Sequence, residues 1–188
     1  MKVVYCRKMG VFLMWEWSKL SIIKGDITKQ KADVIVNAAN VSLLGGGGVD
    51  GAIHRAAGPE LLKECKKFHG CPTGEARVTK AYNLDAKYIV HTPGPIWRGG
   101  FFDEQSLLRK SYVSSLKKAI ELKAKSIAFP SISTGGHKFP LEIASEIALN
   151  TISEVLSSEE NEIENVYIVC KSEDTFSQYE ESESKLAS

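Results

Sequence analysis

Ala32-Asp33-Val34-Ile35-Val36-Asn37 leads through Ala38-Ala39-Asn40 and Leu43-Leu44 to four consecutive glycines, Gly45, Gly46, Gly47 and Gly48, and then to Val49-Asp50-Gly51-Ala52-Ile53-His54. Val34, Ile35 and Val36 are apolar on both faces of an extended chain, which suits a strand covered on both sides rather than one on a solvated sheet. From residue 48 the chain reads as helix. Four glycines in a row cost conformational entropy and bury no side chain. One reading is a plain flexible loop. The other is a cradle: glycines let successive N–H groups point at one anion, and the start of the following helix adds its positive end. Such a cradle holds a diphosphate without any Lys or Arg.

Outward from this stretch, strands and helices alternate. Short runs rich in Val, Ile and aromatics predict strands over 11–17, 20–24, 32–37, 76–81, 88–92, 126–129 and 166–170. Helices are predicted over 48–57, 59–68, 105–122 and 141–156. In the third, Leu107, Leu108, Tyr112, Leu116, Ala119 and Ile120 recur at helical spacing, with Lys110, Lys117 and Lys118 on the other face. Pro140 stands just ahead of the fourth, a start signal. The pattern predicts an α/β chain: a three-layer α/β/α sandwich around a mixed, largely parallel sheet. Its ligand site is expected beyond the carboxyl ends of the strands. One domain is expected over 1–188, with a core over about 20–170 and an extra N-terminal strand region over 1–19. Over 172–188 a last surface helix is expected to fray into a loose polar tail.

Composition narrows the partners. The 188 residues carry 24 Lys+Arg against 23 Asp+Glu, a formal net charge of +1. A groove for the phosphate backbone of nucleic acid needs a clustered basic excess, which neither the total nor any long stretch supplies. A chain of this length buries roughly 70% of its unfolded surface and folds without staples. The apolar run 9–15 meets Glu16 and Lys19 at once and is too short to span a bilayer. Neither a leader nor a membrane partner is expected. The four cysteines, Cys6, Cys65, Cys71 and Cys170, then point to reduced thiols and a cytoplasmic location.

Gly46-x-Gly48-x-x-Gly51 matches the dinucleotide fingerprint, yet in that fingerprint the first glycine follows the strand closely. Here residues 37–44 intervene, and no acidic residue ends the next strand. A P-loop would need Gly-Lys-Ser/Thr, which is missing.

Longer motifs carry a family likeness. Gly25-Asp26-Ile27-Thr28, Val36-Asn37-Ala38-Ala39-Asn40 and Leu44-Gly45-Gly46-Gly47-Gly48-Val49-Asp50-Gly51-Ala52-Ile53-His54-Arg55-Ala56-Ala57-Gly58 resemble the MacroD-type macrodomains. His91-Thr92, Gly94-Pro95-Ile96-Trp97 and Pro130-Ser131-Ile132-Ser133-Thr134-Gly135 continue the match in the same order, over about residues 20–170. The resemblance implies an α/β/α domain that binds ADP-ribose. It further implies removal of acyl-linked ADP-ribose, from acidic side chains of ADP-ribosylated proteins or from O-acetyl-ADP-ribose, without a cofactor and as a monomer.

By this resemblance Asp26 accepts from the adenine amino group, with the Ile27 backbone beside it. A cap on the short helix at 28–31 explains Asp26 equally well. Asn40 resembles the residue that fixes the distal ribose, and Asn37 its partner in shaping the loop; a bare Asn pair is more often turn-forming. Asp50 and His54, four apart, share one helix face. Spacing alone suggests a capping Asp and a half-buried His, whereas the resemblance makes Asp50, His54 and Asn40 the catalytic set. Gly45, Gly46, Gly47, Gly48 and Val49 would cradle the diphosphate. Ser133, Thr134, Gly135 and Gly136, followed by His137 and Phe139, would cover the diphosphate and distal ribose.

This chain departs from the family pattern in three places. Where the family has an aromatic, a glycine and an aromatic, it has His137, Lys138 and Phe139, and Lys138 replaces a residue that tolerates positive φ. Lys171 stands about where an aromatic often meets adenine, Phe176 being the nearest alternative, and Pro93 replaces an aliphatic residue. With no Ser-His-Asp arrangement or nucleophile elbow, an acyl-enzyme is not expected. The diphosphate and Asp50 would instead orient and activate a water while Asn40 and the glycine backbone position the ribose. Cys65, His69 and Cys71 form C-x3-H-x-C, but a structural zinc site needs a fourth ligand, so no metal is expected.

Overall fold

The computed structural model describes residues 3–5 and 14–187. Cys6 and the first part of the strand expected over 11–17 lie outside them. Six strands form the main sheet: β3 (Leu20–Lys24), β4 (Ala32–Ala39), β5 (Arg77–Lys80), β6 (Ala86–Pro93), β7 (Ser126–Pro130) and β8 (Asn165–Cys170). Their order is β3-β8-β7-β4-β6-β5, every pairing parallel except the antiparallel edge of β5 on β6. A separate antiparallel ribbon joins β1 (Val3–Tyr5) to β2 (Met14–Glu16). Among the described residues there are five α-helices: α1 (Gly48–Ala57), α2 (Pro59–Cys65), α3 (Glu104–Glu121), α4 (Leu141–Ser158) and α5 (Glu173–Leu186). This is the expected α/β/α sandwich with a mixed, largely parallel sheet. Among the described residues no helix is long and apolar enough to cross a membrane.

The period of two along β4 assigns the faces. Val34 and Val36, with Val90, Ile127, Phe129 and Ile168, join the core under α3, α4 and α5. Ile35 and Ala39, with Ile89, Ala128 and Val169, join the second core, which includes Ile53 of α1 and Leu61 of α2. Asn37 falls on that second face, fully buried where an apolar residue would be the default. Because the central strands run parallel, their carboxyl ends open on one side of the sheet. The loops after β3, β4, β6, β7 and β8 gather there.

Two sequence expectations change. The helix expected over 59–68 is α2 followed by a 3-10 turn at Lys66–Phe68, closed by His69 at φ 54°. The last helix expected within 172–188 is present as α5, but it continues to Leu186 and packs on the core where a surface helix was expected; the Ser172 side chain caps it, accepting from Thr175 N. The reason is periodicity: Phe176, Tyr179, Ser182 and Leu186 recur at helical spacing beneath an exposed Glu/Ser face, and Tyr179 and Ser182 are fully buried. The Ser182 hydroxyl pairs with that of Ser145 on α4 at 2.8 Å. Tyr179→Ala therefore leaves a core cavity and should cost about 3–5 kcal/mol, read as a lowered urea midpoint. An unchanged midpoint would return α5 to the status of a tail.

Candidate functional site

β4 ends at Ala39, and Asn40 begins the turn that delivers the glycines to α1. Its amide oxygen accepts from Ser42 N at 3.0 Å and also from the Ser42 hydroxyl, which shapes the turn. Its amide nitrogen donates to the Gly45 carbonyl at 2.6 Å and to Asp50 Oδ2 at 3.2 Å. Asn37 Nδ2 donates to Asp50 Oδ1 at 2.8 Å. Each oxygen of the buried Asp50 carboxylate thus takes an N–H from a different asparagine. His54 Nε2 lies one helical turn on, 3.5 Å from Asp50 Oδ1.

The glycines serve different ends. A Cβ on Gly46 would stand 3.0 Å from Asn40 Nδ2 and 3.2 Å from Asp50 Oδ2, so its absence lets the loop close over that pair. A Cβ on Gly51 would meet the Gly46 carbonyl oxygen at 2.3 Å, so the loop rests directly on the first turn of α1. Gly47, Gly135 and Gly136 face open space. The two glycine segments come from loops after adjacent strands, β4 and β7. Main-chain N–H groups at the start of α1 lack intrahelical partners and suit an anion there.

The loop over 131–140 is held from beneath. Tyr179 donates from its hydroxyl to Ser131 Oγ at 3.3 Å, and Ile132 N donates to the Tyr112 hydroxyl at 3.4 Å. The Thr134 hydroxyl donates within the loop, to Ser131 Oγ at 2.8 Å. Ser133 is buried, at φ 67°. Phe139 is 2% exposed and packs on Trp97, ring centres 4.7 Å apart, while Trp97 N donates to the His137 carbonyl at 2.9 Å. Phe139 therefore anchors the loop from the core side. His137 lines a cavity of about 340 Å³ together with Asn40, Val41, Thr73, Pro95, Ile96 and Phe102.

Asp26 stands at the other end of the row of loops as the cap of the 3-10 turn Ile27–Lys29. Its Oδ1 accepts from the Thr28 hydroxyl at 2.8 Å and from Thr28 N at 2.9 Å, and these bonds lower its pKa. The second oxygen and the exposed side chain leave room for a further donor. Ile27 is buried. Lys171 is exposed, and Phe176 is half-buried against the α5 side of the core.

Several residues with a part in the site went unread in the sequence. Glu104, buried at the start of α3, accepts from Phe102 N (2.7 Å), Arg98 N (2.8 Å) and Gly100 N (3.2 Å) and so folds the loop after β6. Burial would raise its pKa, but those N–H bonds outweigh it and hold the carboxyl below its ordinary range. His91 pairs in register with Asn37 across β6 and β4 and touches it at 3.0 Å. The alternation Ile89, His91 on the face of Ile35, Asn37 was the signal that could have found it.

The metal trio Cys65, His69 and Cys71 is not brought together. Among the described residues the group whose donor atoms come within 4.8 Å of one another is His54, Cys65 and His91. In this group His91 Nε2 already meets Thr79 Oγ1 at 2.9 Å, and burial pushes the Cys65 thiol up to about 12. The cluster is built as a hydrogen-bonded one.

Two substitutions test this architecture through stability alone. Gly51→Ala forces the Gly46 carbonyl away and should cost about 1–3 kcal/mol, seen as a fall in Tm. Lys138 sits at φ 54°, where an L side chain is strained. Lys138→Gly should therefore raise stability by about 0.5–1 kcal/mol, the relieved strain less the added freedom of the unfolded glycine. A lowered Tm would contradict that assignment.

With this geometry in place, the relatives are informative. A family model described as "Macro domain" matches residues 36–148. A protein named O-acetyl-ADP-ribose deacetylase from Citrobacter koseri is 51% identical over 167 residues, covering 87% of this chain and 94% of that relative. The macrodomain of Oceanobacillus iheyensis, solved with ADP, superposes with a TM-score of 0.84 at 45% identity, over 89% of this chain and 90% of that one. The Trypanosoma brucei macrodomain in complex with ADP-ribose gives a TM-score of 0.81 at 43% identity, over 87% of this chain and 68% of that one. The matched region contains both glycine segments, both asparagines, Asp50 and the loop after β7, and this chain belongs to the macro domain family.

Proposed function

We propose that this protein binds ADP-ribose and hydrolyses acyl-linked ADP-ribose, deacetylating O-acetyl-ADP-ribose. The observation that carries the reading is the Asp50 carboxylate, held by one amide N–H on each oxygen at the foot of a glycine cradle. Relatives at about half identity are named O-acetyl-ADP-ribose deacetylase, and structural neighbours were solved with ADP and with ADP-ribose.

In this reading Asp26 takes the adenine amino group beside the Ile27 backbone, and the N–H groups around Gly47 and at the start of α1 take the diphosphate. The open Gly135 and Gly136 face it from the second loop. Asn40 fixes the distal ribose. Asp50 orients a water and accepts its proton as the ester carbonyl is attacked, and neighbouring N–H groups stabilise the developing negative charge. The attacked carbon then releases the ribose oxygen, which takes up a proton. His54, beside Asp50, stands where it can share that proton. The cavity next to Asn40 receives the acyl portion. No residue in the site is placed as a covalent nucleophile, and the Thr79 contact on His91 Nε2, with the buried protonated thiol of Cys65, favours a reaction without a resident metal.

The same geometry extends to glutamate- or aspartate-linked ADP-ribose on proteins, because the bond is again an acyl ester. We place this activity in the cytoplasm, in a monomer with reduced thiols. A binding-only reader of ADP-ribose is the second reading. It is favoured by His137 at the position that the family pattern gives to the aromatic closing over the ribose.

Asp50→Ala should lower kcat on O-acetyl-ADP-ribose at least a hundredfold while calorimetry shows ADP-ribose still bound. Full hydrolysis in Asp50→Ala with loss in Asn40→Ala would remove Asp50 from its role. Tight ADP-ribose binding with intact O-acetyl-ADP-ribose in the unaltered protein would establish the reader.

A further inference from the structure

We propose that Thr79 and His91 are positioning residues that set the orientation of the Asn37 amide and, through it, of Asp50. Its catalytic consequence rests on Asp50 acting as proposed above.

Thr79 lies on β5 and its hydroxyl reaches the Lys80 main-chain carbonyl at 3.0 Å. A carbonyl only accepts, so the Thr79 proton is committed to it. Thr79 Oγ1 therefore presents a lone pair to His91 Nε2, 2.9 Å away, and His91 donates there, with Cys65 Sγ a more distant neighbour of the same nitrogen at 3.8 Å. A neutral imidazole with its proton on Nε2 has a lone pair on Nδ1. That atom faces Asn37 Nδ2 at 3.0 Å, so the amide turns its nitrogen toward His91. The same nitrogen donates its other proton to Asp50 Oδ1 at 2.8 Å. Donation thus starts at the Asn37 amide nitrogen and runs two ways, through His91 and Thr79 to a main-chain carbonyl on the sheet edge and directly to the carboxylate at the centre of the site.

Burial makes the direction binding. Asn37 and His91 are fully buried, and Thr79 and Asp50 nearly so. His91 is kept neutral: burial, with the nearby His54 ring adding to it, lowers its pKa to about 3. Were the proton on Nδ1 instead, an N–H would face the amide N–H. The amide would then turn its oxygen toward Asp50 Oδ1, two acceptors at hydrogen-bond distance in a dry site. Asp50 would leave its position. The arrangement already leaves Asn37 Oδ1 buried without a hydrogen-bond partner among the described residues, a cost accepted to keep the nitrogen facing Asp50.

The test combines spectroscopy with kinetics. In the wild-type protein, nitrogen-15 chemical shifts of the His91 ring should report the neutral tautomer protonated at Nε2. Finding it protonated at Nδ1 overturns the proposal, and that measurement needs neither substrate nor a variant that folds. Thr79→Val keeps the shape and removes the acceptor. It should lower kcat on O-acetyl-ADP-ribose at least tenfold, with KM and ADP-ribose affinity within twofold, and Thr79→Ser should restore kcat to within twofold. Thr79→Val with wild-type kcat, or an equal loss that Thr79→Ser does not rescue, overturns it. Asp50→Ala measured in parallel separates a failure of Asp50 as the activating group from a failure of the hydrogen-bond chain, which the tautomer reads by itself.

Discussion

A carboxylate placed inside a folded chain must find donors or it unfolds the site around it, and Asp50 imposes that condition here. Its donors are side-chain amides, one from the last turn of a strand and one from the loop that follows. Asn37 reaches it because β4 puts every second residue on the α1 face, and Asn40 because the Ser42 turn doubles the chain back. A Cβ on Gly46 would crowd Asn40 and Asp50, and one on Gly51 would displace the Gly46 carbonyl. The glycine run is therefore a packing requirement on one side and faces open space on the other, where the proposed anion cradle lies. Mutating its members should not give one uniform phenotype.

The same constraint reaches across the sheet. The loop after β7 has no charged residue locking it down. It is held by Tyr112 of α3 and Tyr179 of α5, which touch hydroxyl to hydroxyl at 3.4 Å beneath Ser131 and Ile132. Burial raises the pKa of both phenols, so they remain neutral, and neutral groups are what a dry packing layer accepts. Through Tyr179 the last helix of the chain contributes to the floor of the site, although its own surface is Glu/Ser-rich and distant from the cradle.

The sandwich was legible in the sequence because β-branched runs and helical stripes are local signals, and the glycine segments because their composition is costly unless used. The C-terminal segment was legible as a helix but not as part of the core, for the converse reason: its buried residues are sparse, and its polar composition outweighs its period. Asp26 was legible as both cap and ligand group, and its geometry serves the first while leaving an oxygen for the second. His91 and Thr79 were not legible, since nothing in a single strand says which buried polar residue will stand beside Asn37 until the sheet order places β6 next to β4 and β5 next to β6. Phe139 is a ligand contact only by the family resemblance of its loop. The structure packs it against Trp97, a tertiary contact that no local pattern announces.

Near-neutral net charge and a phosphate-bearing ligand fit together once the donors are main-chain N–H groups. A lysine or arginine in the cradle would gain Coulomb energy but would also bring a long side chain to be ordered and a charge to be desolvated beside Asp50. Backbone N–H groups fixed by the helix and the glycine turns are oriented before the ligand arrives. Their hold on a dianion depends on geometry more than on the ionic atmosphere, so salt should weaken it only modestly. Lys138 sharpens the point. It is a cation at the edge of the closing loop, yet it is exposed and held in a left-handed conformation that a lysine resists. The backbone path at that position is imposed by the neighbouring bonds, Lys138 N to the Gly135 carbonyl and Phe139 N to the Ser133 carbonyl, and the side chain follows it. In the proposed reading the main chain decides where the ligand is held, and the side chains that matter are those that fix the main chain and Asp50.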